Sequence, residues 1–413
     1  MQLQSFVGIF GLVAIAWLLS ENRSVVKIKY ILFGLALQLL VAVFLLKLPM
    51  SRNFFFFLNK VVMVIQNSCE AGTSFIFGYL GGGTLPFEAT VPGATFIFAT
   101  RALPLILVIS ALSSLFFYWR ITPLVVRAFS FVLQKTLNIG GALAVSSAAN
   151  VFVGMVEAPL LIRPYLKTLT RSELFAVMTC GMATIAGTVM VLYASVLNGV
   201  VPDAMGHILT ASIISAPAAV MLAGIMVPPQ GTTTSGDFCP PFQAKSTMDA
   251  ITRGTTEGVA LLINIIAMLL VFIALVSLAN QILALLPSPG QGPITLQTIL
   301  GYIMAPVVLL MGIPFDEALT AGSLMGVKTV MNEFLAYLQM AQLAPEVLST
   351  RSQLIMTYGM CGFANFGSLG IMIGGLSTVV PERREEIVGL GMKSILSGTL
   401  AGCMTGAIVG VLL

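Results

Sequence analysis

"TRSELFAVMTCGMATIAG" (170–187) and "TRSQLIMTYGMCGFANFGS" (350–368) are two runs of one chain that repeat each other. Their cores, CGMATIAG and CGFANFGS, align at an offset of 181 residues, with one residue inserted upstream. In each core, Gly and a polar residue interrupt an apolar run. Such an interruption unwinds a helix and frees backbone carbonyls, which a membrane tolerates only where they face protein or a cavity. Each core follows an apolar stretch broken by Pro, Gly and charge, about 139–168 and 299–345, and precedes one more apolar helix. With an odd number of crossings per copy, the second copy is inverted in the bilayer. Inverted repeats with broken helices mark secondary transporters whose site lies near the midplane.

Composition agrees with a membrane location. Of 413 residues, 57% are hydrophobic and 9% charged, with mean hydropathy +1.00, where a soluble chain carries about 25% charged residues. The fold class expected is an all-α polytopic membrane protein. Apolar spans fall at 4–20, 30–49, 97–118, 174–197, 207–227, 257–286, 352–380 and 388–413. The two interrupted stretches are expected to be re-entrant hairpins, and 54–80 an interfacial helix. The first span lacks a basic n-region and a small-residue cleavage site, so it is expected to be retained. With the N- and C-termini outside, 14 of the 20 Lys and Arg fall in inside loops; full spans in place of the hairpins would weaken that bias. The linker 228–250, rich in Pro, Thr and Ser, separates two halves. The net charge of +4 is dispersed, which gives nucleic acid no basic patch. Cys69, Cys180, Cys239, Cys361 and Cys403 form no CxxC pair and are expected to be inert.

Carboxylates at membrane depth are functional candidates by default. Glu157 stands in the first hairpin and Glu333 at the corresponding part of the second. A carboxylate only accepts hydrogen bonds, so the pair suits a neutral ligand rich in O–H and N–H donors, or a cation. The structural alternative is an ion pair with Arg163 for Glu157 and with Lys328 for Glu333. Asn150 and Thr184, with nearby carbonyls, offer oxygens to sodium; the alternative for Thr184 is a hydroxyl bonded back to its own helix. Phe363, near Asn365 and Ser368, offers a stacking face or else packs in the core. Asp316 and Glu317 suit a solvated tip or a helix cap. His207 is the sole histidine. No HExxH, GxSxG or Walker loop supports protease, hydrolase or ATP-driven chemistry.

The stretches "AANVFVGMVEAPLLIRPYL", "SELFAVMTCGMATIAG", "GVKTVMNEFLAY" and "CGFAN" resemble the concentrative nucleoside transporters, specifically bacterial sodium-coupled members, over nearly the whole chain. The resemblance implies a homotrimer in the bacterial inner membrane. Each subunit would have eight transmembrane helices, two re-entrant hairpins and an interfacial helix, and would work as an elevator. It implies scaffold helices and the interfacial helix at 1–118, the first repeat of a transport domain at 119–227, a cytoplasmic linker at 228–250, a scaffold helix at 251–298 and the second repeat at 299–413. It implies a sodium site at Asn150, Val153, Thr184 and Ile185, the second and fourth through backbone carbonyls. It places Gly154, Met155, Val156, Glu157 and Val189 on the nucleobase side. Glu333, Asn365 and Ser368, with Phe363 beside them, would hold the ribose. Many relatives carry Gln-Thr before the first glutamate; this chain has Met155-Val156 and lacks two polar base contacts. Some relatives have Ser at the position of Thr184, and a hydroxyl remains here.

The function expected is sodium-coupled import of uridine-like nucleosides. The alternatives are proton coupling, for which the Asn150/Thr184 oxygens are not needed, and an intramembrane enzyme using Glu157 and Glu333 as an acid–base pair. A receptor or channel role would be separated from these by concentrative uptake.

Overall fold

A computed structural model describes residues 2–47, 49–88, 96–229, 231–236, 244–286 and 294–413, with backbone alone at 49–59, 62, 268, 269 and 272. Every regular element among the described residues is helical. The first part of the chain forms α1 (Gln2–Leu18), α2 (Ile28–Lys47), α3 (Pro49–Phe77), α4 (Phe98–Arg101) and α5 (Leu105–Tyr118). Next come α6 (Ile121–Leu137), α7 (Gly141–Asn150), α8 (Glu157–Leu160), α9 (Arg171–Ala183), α10 (Gly187–Leu197) and α11 (Ala204–Met226). After α12 (Thr247–Leu283) the pattern recurs: α13 (Leu296–Met311), α14 (Ala318–Val330), α15 (Glu333–Gln342), α16 (Thr350–Met360), α17 (Phe366–Val379) and α18 (Arg384–Leu412).

Among the described residues, five helical stretches are long and apolar enough to cross a membrane: Ile28–Lys47, Phe98–Tyr118, Arg171–Leu197, Ala204–Met226 and Pro381–Leu412. α1, α13 and α17 are shorter apolar helices. α12 has 37 residues, about 55 Å at 1.5 Å per residue, longer than a hydrocarbon core of about 30 Å.

Local chemistry sets the helix ends. Thr170 and Glu173 form a capping box at the start of α9, each side chain accepting the other's backbone N–H. Glu173 also accepts Thr234 N–H at 2.8 Å, which docks part of the linker onto this helix end. Ser349 caps α16 in the same way, accepting from Ser352 N–H, and its own N–H donates to Glu317. Glu317 therefore ties the entrance of α14 to α16, while Asp316 stays exposed. α9 ends where Thr184 turns extended (φ −118°, ψ 172°), and α10 begins at Gly187. α16 ends at Met360, and Asn365 restarts the chain as N-cap of α17 by accepting from Ser368 N–H at 2.7 Å.

The spans expected at 174–197 and 352–380 are thus each two helices meeting at a break. The stretch 299–345 holds more than one hairpin: α13 is a separate helix packed on α14, and the hairpin proper is α14–α15. The first hairpin is asymmetric. Its return limb is the short α8 followed by a 3-10 turn at Arg163–Tyr165, because Pro159 and Pro164 remove helix N–H donors.

The core is built around α18, which packs on α1, α9, α11, α13, α16 and α17. Small residues allow that approach. A Cβ at Gly398 would lie 2.5 Å from Met182 Cβ, and one at Gly402 would lie 2.6 Å from the carbonyl oxygen of Gly359. α18 therefore touches the two broken helices α9 and α16 directly. α1 and α2 pack onto α18 and α11, whereas α5 packs chiefly on α12. Of the cysteines, Cys69, Cys180, Cys361 and Cys403 are buried free thiols, and Cys239 lies outside the described residues.

Candidate functional site

The two breaks meet. Phe363 N–H donates to the Thr184 carbonyl at 3.2 Å, and a Cβ on Gly362 would lie 2.8 Å from the Met182 carbonyl oxygen. The first hairpin closes on the same point: Gly187 N–H donates to the Phe152 carbonyl at 2.9 Å. The tip of the first hairpin and both unwound segments therefore share one region of the core.

On the first-repeat side, Asn150 ends α7 with 0% exposure, and among the described residues neither its Oδ1 nor its Nδ2 has a partner. Leaving a buried polar atom unpaired costs about 1–3 kcal/mol, so an unpaired amide at full burial is a strong demand for a ligand. Thr184 is equally enclosed, and its hydroxyl lies 3.1 Å from the Asn150 carbonyl and 2.9 Å from the Cys180 carbonyl. The expected back-bond to its own helix is present, through Cys180. One hydroxyl hydrogen serves only one acceptor at a time, and the lone pairs of Thr184 stay available. Ile185 is buried and its N–H is held by Ser212 of α11 at 3.2 Å, which fixes the break's backbone. Val153 stands in the turn after α7. These donors are neutral oxygens, and no group of three His, Cys, Asp or Glu able to hold a metal occurs among the described residues. Neutral oxygens suit a hard monovalent cation and not a thiolate- or imidazole-seeking metal.

The turn between α7 and α8 depends on Gly154, whose φ of +110° other residues rarely adopt. The Glu157 carboxylate folds over it, with Oε2 2.8 Å from where a Gly154 Cβ would stand. Among the described residues no ion pair within 4 Å joins Glu157 to Arg163. The Glu157 side chain is exposed although it belongs to a hairpin whose first limb is wholly buried, so it opens on accessible space. Met155 turns the other way. It is 7% exposed and its Cβ lies 2.9 Å from the place of a Gly181 Cβ, on the Asn150 side. Val156 is half-buried and packs on Gly375 of α17. Val189 is buried on α10.

On the second-repeat side, Glu333 opens α15 and is 3% exposed. Its Oε1 accepts from the Tyr193 hydroxyl at 2.6 Å and its Oε2 from Asn365 Nδ2 at 3.0 Å. The Oδ1 of Asn365 is committed to Ser368 N–H. These two bonds use two of the carboxylate's roughly four acceptor positions. No ion pair within 4 Å joins Glu333 to Lys328, so the proposed structural pairing is absent as a direct contact. Phe363 is half-buried, beside Asn365 and Ser368 in the break.

Tyr193 is a member of this site that the sequence reading missed. It lies four residues after Val189 on α10, one helical turn along the same face, so one helix links the two groups of residues. Its ring packs on Phe334 and Tyr337 at centroid distances of 5.8 and 5.5 Å. Ser212 was missed because it is one of several small hydroxyl residues along α11, with Thr210 and Ser215, and nothing local singles it out; Tyr193 interrupts no apolar run. His207 donates to or accepts from the Tyr358 hydroxyl at 2.8 Å, away from the carboxylates' own hydrogen bonds.

Comparison with known proteins gives a consistent result. Residues 7–80 match the family described as "Na+ dependent nucleoside transporter N-terminus", 207–410 its "C-terminus", and 99–199 "Nucleoside recognition". The chain is 37% identical to an "Uncharacterized transporter" of Haemophilus influenzae, over 99% of this chain and 97% of that one. It is 33% identical to "Nucleoside permease NupC" of Helicobacter pylori, over 98% and 97% of the two chains. The solved structure of "CNTnw in an inward-facing substrate-bound state" superposes with a TM-score of 0.90 at 35% identity, covering 99% of this chain and 98% of that one.

Proposed function

This chain belongs to the concentrative nucleoside transporter family, a family of transporters and not of enzymes, and on that premise we propose that it is a sodium–nucleoside symporter importing uridine-like nucleosides. The observation that carries the sodium reading is Asn150: fully buried, with both amide atoms unpaired, beside the Thr184 hydroxyl. Sodium enters here as a co-substrate held by Asn150, Thr184 and the carbonyls of Val153 and Ile185. A cation at this point ties the end of α7 to the break after α9. It therefore sets the hairpin turn, and Glu157 with it, in the position that receives the base.

The ribose hydroxyls donate to the free acceptor positions of Glu333, with Asn365 and Ser368 alongside and Phe363 against the sugar or ring. Tyr193 orients Glu333 and is a positioning residue. On the base side, Glu157 accepts from the nucleobase. Gly154, Met155, Val156 and Val189 shape the pocket, with Met155 acting mainly from behind.

The recurrence of α6–α11 as α13–α18 supports an inverted repeat with two re-entrant hairpins and eight membrane passages. The packing supports a moving body that includes α1 and α2, which contact α11 and α18. The scaffold is then centred on α5 and α12 and is narrower than residues 1–118 with 251–298. We place α3 at the membrane interface, the termini outside in a bacterial inner membrane, and three copies around the scaffold, with alternation by elevator motion.

Equilibrium binding of labelled uridine to purified protein tests the reading. Affinity should rise with sodium concentration and not with potassium or choline. Binding indifferent to sodium would remove the symport reading.

A further inference from the structure

Lys328 is among the largest fully buried side chains of the molecule, at 1% exposure in the last turn of α14. Among the described residues no ion pair within 4 Å holds its ammonium. A buried charge of this kind costs several kcal/mol unless something compensates it. Two features do so. The Glu333 carboxylate is within electrostatic reach across the short turn between α14 and α15. The ammonium stands at the carbonyl end of a half-helix, where a cation is favoured.

The position has a counterpart. α7 and α14 are the first limbs of the two hairpins, and α9 and α16 are the broken helices that follow. In the first repeat, the end of α7 faces the break at 184–186 and carries Asn150, a neutral amide with both polar atoms unpaired. In the second repeat, the end of α14 carries Lys328, and the break that begins at Cys361 lies within its electrostatic reach. One half-helix end asks for a cation, and the other already owns one.

We propose that Lys328 is a tethered cation filling, in the second repeat, the place that sodium takes in the first, so that it limits coupling to one sodium and holds Glu333 as an acceptor for the ribose. The proposal rests on the symport reading above. Sodium binding and Lys328 then do the same job at the two ends of the substrate. Each neutralises the carbonyls of an unwound segment and steadies the carboxylate that follows it, one reversibly and one permanently.

Three variants in proteoliposomes test this: Lys328→Arg, Lys328→Met and Lys328→Gln, with melting temperature and gel-filtration profile as controls for folding. The Arg variant should keep a sodium dependence with a Hill coefficient near one. The Met variant should bind uridine roughly 30-fold more weakly or worse, as for an uncompensated buried carboxylate, and high sodium should not restore it. The Gln variant supplies an oxygen where the ammonium stood. Its lost affinity should return at high sodium with a steeper dependence, and its charge moved per nucleoside should rise above that of the wild type. Wild-type affinity in the Met variant, or unchanged sodium steepness and charge ratio in the Gln variant, would overturn the proposal. If neither neutral variant folds, Lys328→Met combined with Glu333→Gln decides: recovered folding supports the charge pairing, and persistent misfolding overturns it. A wild type whose uptake ignores sodium would instead refute the parent reading, before any variant is made.

Discussion

Replacing Asn150 with leucine should make the protein indifferent to sodium without making it fragile. In the absence of sodium, the wild type carries two unpaired amide atoms at zero exposure. At about 1–3 kcal/mol for each buried unpaired group, the native state is burdened by roughly 2–6 kcal/mol. Leucine has the same branching and number of heavy atoms and nothing to satisfy, so it relieves that burden, less the repacking its bulkier methyls force against Gly181. Binding sodium at 100 times its dissociation constant adds about 2.7 kcal/mol to the wild type and nothing to the variant. The two melting curves should therefore cross. Asn150→Leu should melt at or above the wild type in choline chloride and below it in saturating sodium chloride. Scanning fluorimetry across a sodium titration reads both limits. A variant that melts well below the wild type in choline, or that keeps the wild-type rise with sodium, would show that Asn150 is paired in the resting state or that the ion binds elsewhere.

Glu333→Gln should abolish uptake with the fold retained, at a cost of roughly 2–5 kcal/mol in nucleoside binding. Whichever oxygen becomes an amide NH2 must face Tyr193 or Asn365, and Asn365 presents its Nδ2 donor there while its Oδ1 caps α17; normal uptake would contradict the ribose assignment. Val156→Thr should reorder uridine, cytidine and adenosine in competition uptake, whereas Met155→Gln, buried against Gly181, should chiefly disturb sodium affinity; the opposite pattern would refute the placement of Met155. Acid should weaken the face where Glu21 bonds Arg171 at 2.9 Å and Lys393 at 2.7 Å. Arg171 first, with Lys393, holds Glu21 down at about 2 from its ordinary 4.5, so its contribution is present above pH 4.5 and lost as pH falls towards 2. Solvent screening keeps it to about 1 kcal/mol or less. Glu21→Gln should flatten that part of the stability–pH profile, and an unchanged slope would show that the network carries no stability.

Much of the candidate site could be picked out in the sequence because its residues violate a local rule. Glu157 and Glu333 are charges in apolar runs, Asn365 is a polar residue beside glycines, and Asn150 ends a run of small residues. Each departs from what a lipid-facing or core helix requires, and the fold brings them to the two hairpins and the two breaks. Tyr193 violates nothing; an aromatic residue in a span fits both core and interface, and only the fold shows that its hydroxyl reaches Glu333. The division of 299–345 was hidden for a related reason. α13 and α14 are both apolar, and the turn between them, Gly312–Glu317, resembles the tip of a hairpin. The placement of α1 and α2 depends on contacts with α18 nearly 400 residues away, including Gln38 Nε2 to Thr405 at 3.3 Å, which no local pattern encodes. Lys328 was visible as a charge, but its isolation was not, since sequence proximity to Glu333 suggests a bridge that the structure does not make.

The central claim is that this chain couples sodium entry to nucleoside entry. Its most direct test is uptake of labelled uridine into proteoliposomes held at one membrane potential, with sodium either equal on both sides or higher outside. An inward sodium gradient should drive uridine transiently above its external concentration, and collapsing the gradient should return it to equilibrium. Uridine that only equilibrates, whatever the sodium gradient, would contradict the account.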